Sequence, residues 1–226
     1  MLVRAALVAA AIVLATGCDD DVPAPSPARD AALIQAADAG RLDEVARLLE
    51  DGARVTSTDD AGRTAIVAAA YGNHVEVAER LVEAGADVNT QDDSQQSAFL
   101  IATSEVGDDP RLLELTLENG ADVDAKDSYD GTGLIRAADG GFVRIVRKLL
   151  ETEMDVDHVN RLGWTALLEA VILGDGDPAH TEVVRLLVEE GDADVTIADA
   201  HGVTAREHAR MKGQREIDAI LEAASR

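Results

Sequence analysis

Three side chains that could bind a divalent cation lie close together between residues 174 and 180. Asp175, Asp177 and His180 offer carboxylate oxygens and an imidazole nitrogen, which are ligand types for calcium or zinc. No further ligand follows at the spacing of a known metal-binding loop, and the Gly-Asp-Pro composition is typical of an exposed connection between helices. We therefore expect a connecting loop with no metal and no cofactor, and a cation-binding loop is the alternative.

The histidines of the chain do not form a catalytic set. They are spread along the sequence as His74, His158, His180, His201 and His208. No serine or cysteine nucleophile stands in a recognised catalytic motif, and the sequence has no glycine-rich phosphate loop. The sequence therefore predicts a protein that is not an enzyme.

The single cysteine, Cys18, stands at the end of an apolar segment. Residues 1–17 carry an early positive charge at Arg4 and a run of small apolar residues from 5 to 15, the layout of a signal peptide. The final ATGC resembles the lipobox of bacterial lipoproteins, whose cysteine is diacylated and becomes the new N-terminus. The resemblance implies that residues 1–17 are removed and that Cys18 carries a lipid anchor such as palmitate. A plain secretory signal, or an N-terminal anchor helix with a chance cysteine, is the alternative.

The residues that follow Cys18 form a predicted tether. Residues 22–29, VPAPSPAR, contain three prolines with one residue between each, a composition that stays extended. We expect residues 18–28 to hold a folded domain, residues 29–226, off the membrane. The aspartates at 19–21 resemble the inner-membrane retention signal of enterobacterial lipoproteins. The expected location is the extracytoplasmic side of a bacterial envelope, at the periplasmic face of the inner membrane where two membranes are present.

The composition limits both the partners and the core. The formal net charge is −24, which argues against a nucleic-acid partner because phosphate binding requires clustered Lys and Arg. An acidic surface favours a partner with a basic surface, although acidity also keeps an extended protein soluble. Hydrophobic residues make up 46% of the chain and aromatic residues 2%, so the core must be built from small aliphatic side chains, which suit tightly stacked helices.

A recurring phrase of thirty-odd residues organises the chain from residue 29 onwards. A threonine or serine marks its copies at Thr64, Ser97, Thr132, Thr165 and Thr204, at intervals of 33, 35, 33 and 39 residues. An earlier copy at residues 29–60 lacks the threonine but keeps the rest of the pattern. Internal repetition at this period predicts a solenoid, in which each unit packs on its neighbours.

The copies resemble the ankyrin repeat family. The segment 62–93, GRTAIVAAAYGNHVEVAERLVEAGADVNTQDD, follows the family's order of G-x-T turn, first helix, short loop, second helix and G-A-D-V-N turn. The resemblance implies an all-α repeat solenoid of about six helix-turn-helix units with hairpin-like turn tips and polar terminal caps. The family's proline after the threonine is Ala or Gly here, and its histidine becomes an apolar residue or Glu207. The missing histidine implies weaker contacts between repeats with an unchanged fold.

The spacing of apolar residues supports two helices in each copy. Ile66, Ala69 and Ala70 fall at helical spacing, and a second apolar stripe starts at Val75 after a Gly-Asn pair. Gly85 is expected to end the second helix, where a positive φ is needed. Insertions at 107–110 and 174–180 explain the longer intervals.

Each turn tip starts with a short polar residue. These residues are Asp59, Asp92, Asp127, Asn160 and Asp199, which we interpret as turn formers that bind their own backbone, not as metal ligands.

The remaining candidate surface is the concave face that the family uses for binding. By resemblance, its variable positions and the predicted partner-binding residues are Asp60, Arg63, Tyr71, Asp93, Gln96, Tyr129, Arg161, Trp164 and His201. Both tyrosines and the single tryptophan of the chain are in this set, and aromatic residues and Arg are enriched at binding hot spots. We expect Tyr129, Arg161 and Trp164 to cluster; packing of Tyr71 and Trp164 against adjacent turns is the alternative.

These observations predict a monomeric, non-catalytic protein-interaction module tethered to a bacterial membrane, binding another protein on its concave face. The alternative is an accessory or inhibitory factor that modulates an envelope enzyme or a toxin. The sequence does not identify the partner, because a fold does not fix a function.

Overall fold

A computed structural model describes residues 26–225 of the chain. The helices it contains are α1 (Pro27–Asp38), α2 (Leu42–Glu50), α3 (Ala65–Tyr71), α4 (Val75–Glu83), α5 (Ala98–Ser104), α6 (Arg111–Glu118), α7 (Gly133–Asp139), α8 (Val143–Leu150), α9 (Ala166–Ile172), α10 (Pro178–Glu189), α11 (Ala205–Lys212) and α12 (Arg215–Ala224). They pair into six helix-turn-helix repeats, as the sequence predicts. The proposed signal peptide, Cys18 and most of the proposed tether lie outside the described residues.

The helices form two layers. The odd-numbered helices contact one another in an inner row from α1 to α11, and the even-numbered helices pack behind them in an outer row. Inner helices are buried on nearly every side; residues 65–70 of α3 are all buried. Outer helices bury one stripe, such as Val77, Ala78 and Leu81 of α4, and expose their charged face. The apolar side chains of both layers form one continuous core, because no repeat can bury its apolar surface alone.

The recurring threonine or serine is the N-cap of an inner helix. The hydroxyls of Ser97, Thr132, Thr165 and Thr204 accept the backbone N–H three residues on, at 3.2 to 3.4 Å. The corresponding Thr64 hydroxyl is buried without a hydrogen-bond partner. The strongest repeat signal in the sequence therefore has a structural role, because it satisfies backbone donors that the helix cannot pair.

The first repeat begins earlier than the sequence alignment indicates. Helix α1 starts at Pro27, inside the stretch expected to be tether, since proline is well tolerated at the first helical position and the Ser26 hydroxyl accepts the Arg29 N–H at 3.4 Å. Asp30 is buried and accepts the N–H and Nε–H of Arg54, each at 2.8 Å. Hydrogen bonding, led by the Arg54 backbone N–H, lowers the pKa of Asp30. These bonds connect α1 to the chain after α2.

The two insertions connect neighbouring repeats. Asp108, in the insertion between α5 and α6, accepts the backbone N–H groups of Arg144 and Ile145 in the next repeat, at 2.7 and 3.1 Å. These are the N2 and N3 positions of α8, whose own N-cap residue, Phe142, makes no side-chain capping bond. The insertion therefore supplies from a distance the cap that α8 lacks locally.

Removal of this distant cap gives a testable stability change. Asp108→Ala is expected to lower the free energy of unfolding by about 1 kcal/mol, the usual contribution of an N-cap side chain. Urea denaturation followed by circular dichroism measures the change. Asp175→Ala, which truncates an exposed aspartate in the other insertion, is the matched control and should change stability by less than about 0.5 kcal/mol. An Asp108→Ala variant as stable as this control would contradict the capping role.

Between residues 26 and 225, no helix combines the length and the apolarity needed to cross a bilayer.

Candidate functional site

The turn tips stand in a row along one side of the inner helices. Residues 59–63, 92–96, 127–131, 160–164 and 199–203 make five similar tight turns. The residue two positions before each N-cap has a positive φ, which is 74° at Gly62, 62° at Gln95 and 61° at Asp130. Two pairs of adjacent tips are joined by backbone hydrogen bonds, from Asp93 N–H to Ala61 O at 3.1 Å and from Arg161 N–H to Tyr129 O at 3.0 Å. We call the surface formed by these tips and the C-terminal ends of the inner helices the concave face.

The first residue of each tip organises its turn, as predicted. One side-chain oxygen accepts the N–H groups two and four residues on, at 2.7 to 3.1 Å, in Asp59, Asp92, Asp127, Asn160 and Asp199. Repeated acceptance of backbone donors explains why a short polar side chain occupies this position in every copy.

The second polar atom of these residues pairs with a different side chain in each repeat. Asp127 pairs with the Arg136 guanidinium, and Asp199 accepts His208 Nε2–H at 2.8 Å. Asn160 is the exception among the tips, and its Nδ2 donates to Glu169 Oε1 at 2.8 Å. The pairing side chain stands nine positions after the tip residue in all three repeats, at Arg136, His208 and Glu169. A hydrogen-bond donor therefore meets the carboxylate of each tip aspartate, and a carboxylate meets the amide of Asn160.

In the third and second repeats, the second oxygen of the tip aspartate pairs with a side chain from a different position. Ile101 occupies the equivalent position in the third repeat and cannot pair, so Asp92 instead accepts the Tyr71 hydroxyl from the preceding repeat at 2.9 Å. Desolvation, together with this hydrogen bond, raises the pKa of Tyr71 to about 12. Asp59 pairs with Arg63 Nε–H at 2.9 Å. Every tip is therefore held by a side chain that the repeat consensus does not fix.

Two ionisable groups in this row have pKa values that are shifted in opposite directions. Glu169 is 2% exposed, and its burial raises its pKa, with its Oε2 lacking a hydrogen-bond partner. Hydrogen bonding, led by the Val203 backbone N–H, lowers the pKa of Asp199 to about 2. The Glu169 carboxylate is thus the destabilised charge in this row, and the Asp199 carboxylate is a stabilised one.

The predicted partner-binding residues fall into two groups on this face. Four are exposed and, within residues 26–225, make no side-chain hydrogen bond to a neighbouring repeat: Asp60, Asp93, Tyr129 and His201. Three bind neighbouring parts of the array: Arg63 reaches Asp38, Tyr71 reaches Asp92, and Arg161 Nη1–H donates to Ser128 O at 2.7 Å. Gln96 and Trp164 are half-buried, and Trp164 packs against the core. The face therefore combines free side chains with ones that also hold the repeats together.

Of the expected cluster of Tyr129, Arg161 and Trp164, only Arg161 is bound to the tip of Tyr129, through its backbone N–H, and Trp164 packs against the core in the part of the chain that the structure describes. The guanidinium over the Tyr129 ring belongs to Arg136, 5.7 Å from the ring centroid. Sequence reasoning missed Arg136 because it lies inside a helix, four residues after the N-cap, and no local pattern places it against a tip.

An apolar region at the C-terminal half of the concave face lies outside the set of predicted partner-binding residues. Leu162 is 52% exposed at a tip, and Leu173 and Met211 are 47% and 67% exposed at the C-terminal ends of neighbouring inner helices. Lys212, beside Met211, donates to Ile172 O at 2.7 Å and to Gly174 O at 2.6 Å, which holds the end of α11 against the end of α9. The signal was present in the sequence, because Leu173 and Met211 stand at or next to the position that Tyr71 occupies in its own repeat.

The candidate metal loop is tied into the fold. Asp177 is the N-cap of α10, and its second oxygen lies 2.5 Å from His180 Nδ1. His180 Nε2 lies 2.9 Å from Asp139 O of the preceding repeat, so neither ring nitrogen points to open space. In residues 26–225, no three His, Cys, Asp or Glu side chains converge as metal ligands. The geometry therefore assigns the histidine to contact between repeats.

Comparisons with known proteins agree with this architecture. A family profile described as "Ankyrin repeats (3 copies)" matches residues 4–92 and 99–199. Ankyrin repeat protein YahD of Escherichia coli strain K12 is 37% identical over 192 residues, which cover 84% of this chain and 94% of YahD.

Two solved structures are also similar. An ankyrin repeat domain from Acinetobacter baumannii AYE superposes with a TM-score of 0.80 at 39% identity, covering 85% of this chain and 97% of that domain. The ankyrin repeat protein EF0377 superposes with a TM-score of 0.78 at 36% identity, covering 84% and 96%. Stacked helix pairs, capped inner helices and the profile match together show that this chain belongs to the ankyrin repeat family, whose members are generally protein-protein interaction modules and not enzymes.

Proposed function

We propose that this protein is a monomeric, non-catalytic binding module that holds a partner protein on its concave face. The observation that carries the proposal is where exposed large apolar side chains lie. Of the seven such residues between 26 and 225, five are on the concave face: Tyr71, Tyr129, Leu162, Leu173 and Met211. Apolar side chains at exposed positions gain free energy when a partner covers them, and aromatic residues dominate such contacts.

The acidity of the chain favours a partner whose surface is basic. With a net charge of −24, a partner with a basic surface associates faster and with less repulsion than an acidic one. Nucleic acid is disfavoured by the same charge.

The proposed cellular setting rests on the N-terminal sequence. We infer that Cys18 is lipidated and that residues 18–26 tether the repeat domain to the extracytoplasmic side of a bacterial membrane. Incorporation of labelled palmitate into the wild-type chain, and its loss in Cys18→Ser, is the expected result. Equal labelling of both chains would contradict lipidation at Cys18.

The binding surface is tested by crosslinking in native envelopes followed by mass spectrometry, and then by capture of the identified partner with variants. Tyr129→Ala/Leu162→Ala is expected to weaken capture about tenfold or more, because both side chains are over half exposed and removal should leave the fold intact. The matched control is Leu42→Ala, which removes an exposed apolar side chain at the start of the outer helix α2. Equal capture by both variants would exclude the concave face as the binding surface.

A further inference from the structure

A polar cavity lies on the concave face between the third and fourth repeats. It has a volume of about 290 Å³. The wall residues that matter for its chemistry are Glu105, Asp127, Tyr129, Arg136 and Asp139. They come from the end of α5, from a tip and from α7, so two repeats must stack correctly to build it.

The charges around the cavity do not cancel. Arg136 is paired with Asp127, which leaves the carboxylates of Glu105 and Asp139. Among residues 26–225, neither of these two side chains makes a hydrogen bond or an ion pair. The cavity wall therefore carries two uncompensated negative charges at its rim.

A buried group behind the wall strengthens this field. Glu169 is 2% exposed, its Oε2 has no hydrogen-bond partner, and it interacts electrostatically with Asp139, Arg136 and Asp127. Glu169 does not line the cavity, and its Oε1 accepts a hydrogen bond from Asn160, so it acts on the cavity only through its charge, which adds to the negative potential around Asp139.

The cavity also offers an aromatic surface. The Tyr129 ring is 58% exposed, and the Arg136 guanidinium already lies 5.7 Å from its centroid. A ring that holds one guanidinium in this geometry is suited to stacking a second planar cation on its exposed side. Two carboxylate acceptors beside an aromatic ring match guanidinium better than ammonium, because guanidinium is planar and has several donors in one plane.

We propose that this cavity receives an arginine side chain of the partner protein, with Glu105 and Asp139 accepting its N–H groups and Tyr129 stacking on its plane. The inference rests on the proposed binding function and adds the residue type that the partner must present. It predicts an arginine flanked by apolar residues in the partner, because the C-terminal half of the same face exposes Leu162, Leu173 and Met211.

The test is an NMR titration of the purified full-length chain with N-acetyl-arginine amide. We expect saturable amide shifts confined to the neighbourhood of Glu105, Tyr129 and Asp139. N-acetyl-citrulline amide has nearly the same shape without the charge and should bind about tenfold more weakly; N-acetyl-lysine amide should also bind more weakly than the arginine probe. Equal binding of citrulline or lysine amide, or shifts spread over the whole acidic surface, would overturn the proposal.

A matched pair of variants completes the test. Glu105→Gln/Asp139→Asn removes two charges from the rim and should abolish the saturable shifts. Glu118→Gln/Glu153→Gln removes the same charge from exposed positions on other faces and should leave them unchanged. If the arginine probe fails while Tyr129→Ala/Leu162→Ala still loses the partner, the arginine assignment falls and the binding function stands. If partner capture survives both Tyr129→Ala/Leu162→Ala and the rim variant, the proposed binding surface falls.

Discussion

Phe99→Ala is expected to lower the free energy of unfolding by about 3 to 5 kcal/mol, the largest effect of any single substitution proposed for this chain. Phe99 is fully buried in α5 and is the largest side chain of a core otherwise built from aliphatic residues. Its ring lies against the next repeat, where a methyl group on Gly133 would lie 3.2 Å from Phe99 Cζ and 3.0 Å from Thr103 Cγ2. Truncation leaves a cavity between two repeats, which the short, buried inner helices cannot collapse to fill.

Phe99 and Gly133 form a size-matched pair. The inner helices α3, α5, α9 and α11 begin with alanine, at Ala65, Ala98, Ala166 and Ala205, whereas α7 begins with glycine. Gly133→Ala would normally stabilise a helix by about 1 kcal/mol, but here we expect a net loss because the added methyl meets both the Thr103 methyl and the phenyl ring.

A double-mutant cycle by urea denaturation measures the coupling of this pair. The loss in the free energy of unfolding for Phe99→Leu/Gly133→Ala should be about 1 kcal/mol smaller than the sum of the losses for the two single variants. Phe142→Ala is the control for ring removal. Because Phe142 is half-buried, this substitution should lower the free energy of unfolding by less than half as much as Phe99→Ala. Additive single effects would show that the ring and the glycine are not matched.

Asn160→Asp is expected to lower the free energy of unfolding by about 3 kcal/mol at neutral pH. Asn160 is buried, and its amide nitrogen donates to Glu169 Oε1 at 2.8 Å. Aspartate would keep the acceptor for Leu162 N–H and Trp164 N–H but would place a second carboxylate oxygen against that of Glu169. Two buried carboxylates at this distance cannot both be charged without a large penalty.

The loss in Asn160→Asp should depend on pH in a defined direction. Burial already raises the pKa of Glu169 in the folded protein, and a neighbouring carboxylate raises it further. A folded-state pKa above the unfolded value contributes stability that is present at low pH and is lost as the pH rises through the folded pKa. The stability deficit of the variant should therefore be small at pH 4 and should grow towards pH 7.

Compensation identifies the cause of this loss. Asn160→Asp/Glu169→His reproduces the Asp199 and His208 pair of the last repeat and should recover at least half of the lost stability. Val159→Asp adds the same charge to the exposed neighbouring residue and should change stability by less than about 0.5 kcal/mol. A loss that is equal in the compensated variant and independent of pH would contradict the carboxylate explanation.

The proposed binding surface was predictable in part from the sequence. Repeat alignment placed Tyr129 and Asp93 at exposed tip positions correctly, because the position of a residue within a repeat decides which side of the stack it occupies. It did not find Arg136 or Glu105, because the side chain that meets a given tip comes from a different element in each repeat. Tyr71 illustrates the point, since it reaches Asp92 only because Ile101 cannot.

The sequence by itself determined the number of helix pairs, the caps of the inner helices and the turn residues of the tips. These features depend on neighbours within four residues, such as the Thr132 hydroxyl and the Ile135 N–H, and a period of about 33 residues makes each one visible several times. The tertiary structure alone decided that Asp108 caps α8, that Glu169 faces Asn160 and that Gly133 accommodates Phe99. Such contacts join different repeats or different elements of one repeat, and they occur once each, so no local spacing encodes them. Close packing between the stacked units selects the side chains that meet.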